Sequence, residues 1–190
     1  MPNAGMNLLI IGILLFFGIH LVPVLGFKPA LVQRLGEGRY KGVFALVSLA
    51  GFVLMIWGFR TARLELEPML YEPPRWGRHV AMLLVLLAVI SLMAAFHRGR
   101  LKLWLKQPMS IGIALWATGH LFANGSLPEV LLFGSFLVFS LVDIIRSNAL
   151  GEVPAYVPKP LHDVIAVVGG LVIYGLLLYL HPIIIGVPVV

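Results

Sequence analysis

Cysteine is absent from the 190 residues. That excludes disulfides, thiolate metal sites, iron–sulfur clusters and a cysteine nucleophile. Charge is scarce as well. Only 12% of the residues are Asp, Glu, Lys or Arg, against about 25% in a soluble domain, and so few cannot coat a water-facing surface. No Gly-rich phosphate loop, His-Glu-x-x-His zinc motif or serine nucleophile elbow is present. No basic leader precedes the first apolar run and no clear small-residue cleavage site follows it, so that run reads as a retained span and not a signal peptide. Internal repeats and low-complexity tracts are also missing.

What is there is hydrocarbon. Hydrophobic residues make up 60% of the chain and the mean hydropathy is +1.00. They fall in blocks near the ~20 residues that a bilayer core requires. The spans run from about Met6 to Phe27, Gly42 to Phe59, His79 to Phe96, Pro108 to Asn124, Leu127 to Ile145 and Val164 to Ile185. The runs are continuous and lack the alternation of barrel strands, so they read as helices. The expected fold is all-α: a polytopic membrane helix bundle of about six transmembrane helices, with residues 1–190 forming one domain in a lipid bilayer. Lys28-Pro29, Glu72-Pro73-Pro74-Arg75, Gln107-Pro108, Asn124-Gly125 and the prolines Pro154, Pro158 and Pro160 punctuate the loops.

The net charge of +6 sits in those loops, without the aromatic-interleaved basic face of a nucleic-acid binder. The first, third and fifth loops carry ten Lys and Arg (Lys28, Arg34, Arg39, Lys41, Arg98, Arg100, Lys102, Lys106, Arg146 and Lys159). The second carries four (Arg60, Arg63, Arg75 and Arg78), interspersed with Glu65, Glu67 and Glu72, and the fourth none. The positive-inside rule then puts the odd loops in the cytoplasm and both termini outside.

Polar groups within spans are costly and therefore informative. His20 lies in the first span and His120 in the fourth. Neutral imidazole is a good iron ligand and needs no counter-charge in a membrane. Phe16 and Phe17 precede His20 by about one turn, where they can line a flat cofactor. Trp116 and Asn124 flank His120 on its own helix face. The competing reading of both histidines is a hydrogen bond to a neighbouring helix. His79, His97, His162 and His181 read as interfacial anchors, with Asp163 suited to a helix N-terminus. Asp143 and Arg146 suggest a local ion pair, and Glu129 marks a helix start.

Phe16-x-x-x-His20, with Leu35-Gly36-Glu37-x-x-Tyr40-Lys41-Gly42-x-Phe44-x-Leu46-x-Ser48-Leu49, resembles the NnrU family of bacterial membrane proteins. Trp116-x-x-x-His120-Leu121-x-Ala123-Asn124-Gly125, followed by Phe133-Gly134, resembles the family's second signature. The resemblance covers nearly the whole chain. It implies a place in the bacterial inner membrane and a link to denitrification, and kinship with 15-cis-zeta-carotene isomerase, a haem b protein. Carried over by position, it makes His20 and His120 the candidate haem ligands, and so also the candidate metal ligands. The isomerase carries a cysteine where this chain has Ala117, so ligand exchange by a thiolate is excluded here. Lys106-Gln107-Pro108 replaces the Arg-His-Pro of the isomerase and many relatives, which sets the chain apart from carotenoid isomerisation and from the related membrane methyltransferases.

The expected function is a haem b protein in a redox-linked process. That process would be nitrogen-oxide metabolism, with a respiratory protein as partner, or isomerisation of an apolar small molecule. A non-catalytic membrane assembly factor without haem and a small-molecule methyltransferase are the alternatives.

Overall fold

The computed structural model describes residues 4–64, 68–187 and 189; Glu65 and Glu67 of the second loop lie outside them. Among the described residues eight helices follow one another: α1 (Ala4–Val24), α2 (Lys28–Leu35), α3 (Glu37–Ala62), α4 (Gly77–Ala95), α5 (Arg100–Leu105), α6 (Pro108–Ala123), α7 (Leu127–Ala149) and α8 (Pro160–Ile184). Each of the six expected spans is one of these helices. The chain is an all-helical polytopic membrane protein, and among its described residues no strand forms. Five helices, α1, α3, α4, α7 and α8, are long and apolar enough to cross a membrane. The expected fourth span, α6, has only 16 residues, or about 24 Å, short of the ~30 Å hydrocarbon core.

The two additional helices are the short ones, α2 and α5, in the basic first and third loops. Gly36 ends α2 and starts α3 with no linker between them, at φ 80° and ψ 151°. Only a residue without a Cβ adopts that conformation readily.

The chain forms two compact units. Met1–Tyr71 joins Gly125–Ser135 in the first, and Glu72–Asn124 joins Phe136–Val190 in the second, so α7 is divided between them.

In the first unit α1 and α3 pack antiparallel through glycines contributed by both. Gly5 abuts Ala62, Leu9 abuts Gly58, Gly12 abuts Met55 and Phe16 abuts Gly51. The approach is so close that a Cβ on Gly12 would lie 2.8 Å from the Gly51 carbonyl oxygen, and one on Gly51 2.6 Å from the Phe16 amide nitrogen. Lipid tails are as apolar as leucine, so helix association in a bilayer relies on such backbone proximity and on polar links. Ser126 precedes the α7 segment of this unit, and Glu129 in its first turn reaches back to it. The Glu129 carboxylate accepts from the Ser126 N–H at 3.1 Å and hydroxyl at 2.7 Å, and lies 3.7 Å from Arg63. The expected helix start at Glu129 is thus present.

In the second unit α4 packs against both α6 and α8. Gly112 and Gly119 of α6 meet Ala88, Leu92, Ala81 and Leu84 of α4. Buried Ser91 donates its hydroxyl to the Pro108 carbonyl at 2.7 Å. On the other side Gly170 of α8 lies against Ile90, and the Tyr174 hydroxyl donates to the Met82 carbonyl at 3.0 Å.

The loop before α5 is clamped to the start of α8. Asp163 accepts from the backbone N–H groups of Arg100 and Leu101, both at 2.9 Å. His162 Nδ1 accepts from the Arg98 N–H at 2.9 Å, and the Tyr156 hydroxyl donates to the Gly99 carbonyl at 2.8 Å. Asp163 therefore lies in the first turn of its own helix, as expected, and also satisfies the first donors of α5. The Asp143–Arg146 pair does not form; Ser110 of α6 donates its hydroxyl to Asp143 at 2.5 Å instead.

Candidate functional site

His20 lies on α1 in the first unit, one turn short of the helix end. Its Nδ1 is 2.6 Å from the Phe16 carbonyl. A carbonyl only accepts, so Nδ1 carries the proton and Nε2 carries the lone pair. The Phe16 ring lies 4.2 Å from the imidazole at 31°. Phe44 of α3 meets the imidazole edge-on at 5.0 Å, and buried Tyr40 lies 6.1 Å from Phe44. Phe17 is buried and about 100° further round α1; it touches Phe16 edge-on at 5.2 Å. Phe16 and Phe44 thus meet His20 from both helices of the glycine seam, with Tyr40 next to Phe44.

His120 lies on α6 in the second unit and repeats the arrangement. Its Nδ1 is 2.8 Å from the Trp116 carbonyl, again giving the Nδ1–H tautomer. The Trp116 ring is 4.9 Å away at 51°, and Phe136 of α7 meets Trp116 edge-on at 5.3 Å. Asn124 donates its side-chain N–H to the His120 carbonyl at 2.8 Å. Ala117, where the isomerase resemblance places a cysteine, is wholly buried.

The same ring lock recurs elsewhere. His97 Nδ1 lies 2.7 Å from the Met93 carbonyl and His181 Nδ1 2.7 Å from that of Val187. His97 faces the His162 ring edge-on at 5.8 Å, as part of the loop clamp. What distinguishes His20 and His120 is the aromatic cradle one turn before each. Among the described residues no group of three or more His, Asp or Glu side chains could hold a metal ion. A haem would need only imidazole nitrogens as ligands, which His20 and His120 could supply.

Sequence reasoning singled out Phe16, Phe17, His20, Trp116, His120 and Asn124. It did not assign roles to Tyr40 and Phe44, although both stand in the first signature, and it passed over Phe136. A model of the NnrU protein family matches residues 8–189. The chain belongs to the NnrU family. Neither a curated protein nor a solved structure matches it. Both NnrU signatures now have a place in the structure: the first is the aromatic cluster around His20, the second the Trp116–His120–Asn124 face of α6.

Proposed function

We propose that this NnrU protein binds haem b through His20 and His120 and acts in a redox-linked membrane process, either nitrogen-oxide metabolism or conversion of an apolar substrate. One observation carries the reading: each imidazole is held by a carbonyl one turn back with Nε2 as the lone-pair nitrogen. A backbone carbonyl on the second nitrogen is the usual device that fixes ring orientation and raises ligand basicity. Imidazole as a ligand needs no counter-charge, which would suit an iron centre in a low-dielectric site. Phe16 and Trp116 offer flat apolar surfaces beside the imidazoles. Haem, when bound, supplies one-electron chemistry; the chain's residues orient the ligands and exclude water.

The absorption spectrum of protein expressed with adequate haem tests this. A low-spin Soret and α/β pattern is expected. His20→Ala or His120→Ala should convert it to a five-coordinate form or lose the haem. His97→Ala, which removes an imidazole with the same backbone lock, should leave it unchanged. A haem-free preparation with full biological activity defeats the reading and favours an assembly factor. Ala117 provides no thiolate, so oxidation and reduction should leave the same ligands in place, and isomerisation by ligand switching should be absent.

The membrane is the bacterial inner membrane, with the odd-numbered loops cytoplasmic. Their excess of Lys and Arg supports that orientation. A reporter fused after Val190 should read as periplasmic; a cytoplasmic signal would mean an odd number of spans or the reverse insertion.

A further inference from the structure

The end of α1 and one face of α2 enclose a cleft that the functional reading does not use. The chain turns sharply between the two helices. The Gly26 N–H donates to the Pro23 carbonyl at 3.0 Å, and the Phe27 N–H to that of Val22 at 2.9 Å. The cleft, about 400 Å³, is lined by Val22, Phe27, Ala30, Leu31 and Arg34. The last four are spaced 0, +3, +4 and +7, which puts them on one helical stripe. Phe27 is 58% exposed. Four lining residues present hydrocarbon and the fifth presents a guanidinium.

The surroundings select the charge of a ligand. Segment 28–41 holds Lys28, Arg34, Arg39 and Lys41 against a single acid, Glu37. Lys41 lies 2.7 Å from Glu37 and neutralises it. The segment keeps an excess of three cations, of which Arg34 lines the apolar cleft at the end of a helix long enough to span the bilayer. Hydrocarbon beside a fork of N–H donors fits an acyl chain continuing into a phosphodiester, which guanidinium binds with two parallel hydrogen bonds. The excess positive charge favours a headgroup with net negative charge over a zwitterion.

We propose that this cleft is a binding site for one anionic phospholipid, with an acyl chain against Val22, Phe27, Ala30 and Leu31 and the phosphate on Arg34. The site is separate from the His20 cluster and does not depend on haem.

Native mass spectrometry of the delipidated full chain in detergent tests the site, with dioleoylphosphatidylglycerol or dioleoylphosphatidylcholine added. One phosphatidylglycerol should be retained in preference to phosphatidylcholine. Arg34→Gln should weaken that retention by about fivefold, the effect of one basic residue at an anionic surface. Arg34→Lys should fall between the two, because charge survives and the fork is lost. Ala30→Trp fills the cleft without changing charge and should abolish the preference. Arg100→Gln, an exposed cation of the third loop, should leave it intact. Equal retention of the two lipids overturns the proposal. So does full retention by Ala30→Trp, or equal loss in Arg34→Gln and Arg100→Gln, which would mean surface attraction without a site. Circular dichroism of each variant separates loss of the site from loss of the fold.

Discussion

The two units bring their helices together by different means. Between α1 and α3 the glycines come from both partners, Gly5 and Gly12 from one and Gly51 and Gly58 from the other, so main chain rests on main chain. Between α4 and α6 the mid-helix glycines, Gly112 and Gly119, come from α6, and α4 answers with Leu84, Val85 and Leu92 side chains as well as backbone; Gly77 at the start of α4 meets the Phe122 carbonyl of α6. Hydrogen bonds from Ser91 and Tyr174 then fasten α4 to α6 and α8. Small-residue proximity and polar links are the two sources of helix adhesion available in lipid. The first unit leans on proximity, and the second divides the task. The histidine sites differ too: His20 meets rings from two glycine-apposed helices, and His120 meets the Trp116 ring of its own helix.

The contrast predicts unequal tolerance of one methyl group. A Cβ at Gly58 would collide with the Leu8–Leu9 backbone, which cannot swing away as a side chain can. Gly58→Ala should therefore cost about 3 kcal/mol or abolish the folded state. At Gly119 the nearest atom is the Ala81 carbonyl oxygen at 3.2 Å, and Gly119→Ala should cost about 1 kcal/mol. Gly18 meets nothing within 4 Å, and Gly18→Ala should be neutral or stabilising by up to about 1 kcal/mol. Denaturant unfolding in micelles ranks the three. Equal effects at Gly58 and Gly119 would erase the distinction between the seams.

A smaller effect belongs to the second unit's polar ties. Asp163→Ala removes the acceptor for two α5 donors and should cost about 1 kcal/mol, as loss of a helix cap does. Hydrogen exchange should rise at Arg100 and Leu101 and stay unchanged in α1 and α3. Exchange rising equally in α3 would show that the clamp is not local to its unit.

The smallest effect carries a signature in alkaline solution. Burial, with the nearby Asp163 carboxylate adding to it, pushes the Tyr156 phenol above the ordinary tyrosine value. The folded state then holds a proton that the unfolded chain releases near pH 10. This contribution is complete below that pH and is lost as pH rises through the folded value. Tyr156→Phe should flatten the alkaline limb of the stability profile and, because it removes the hydrogen bond to the Gly99 carbonyl, lower neutral stability by about 0.5 kcal/mol. An unaltered limb would assign the alkaline loss to other groups.

How much of this was legible follows from the range of each interaction. Hydropathy located every long helix because a long apolar run in lipid has few other ways to satisfy its backbone; His79–Phe96 became Gly77–Ala95. The run Arg100–Leu105 was too short and too basic to register, and so was Lys28–Leu35. Ser126 and Glu129 are three residues apart, and their hydrogen bonding lies within one turn. Asp143 shows the opposite case. Its spacing suited a bond to Arg146, but Ser110, 33 positions away, donates to it instead. Phe44 stood in a signature without a role until α1 and α3 were placed side by side, and nothing near Trp116 in the sequence pointed to Phe136.

The order in which the first unit is made follows from its composition. Gly5 waits for Ala62, 57 residues downstream, or roughly 3–11 s at ordinary rates of protein synthesis. Its remaining segment, Gly125–Ser135, is made only after α4, α5 and α6. That segment brings Glu129 to Arg63 and Phe133 to within 6.3 Å of Phe59. A nascent chain stalled near Ser110 would hold a complete glycine seam inside an unfinished unit. The ribosome therefore completes the earliest helix pair well before the unit that contains it, and for that interval the Phe59 end of α3 must be shielded by lipid or by the insertion machinery.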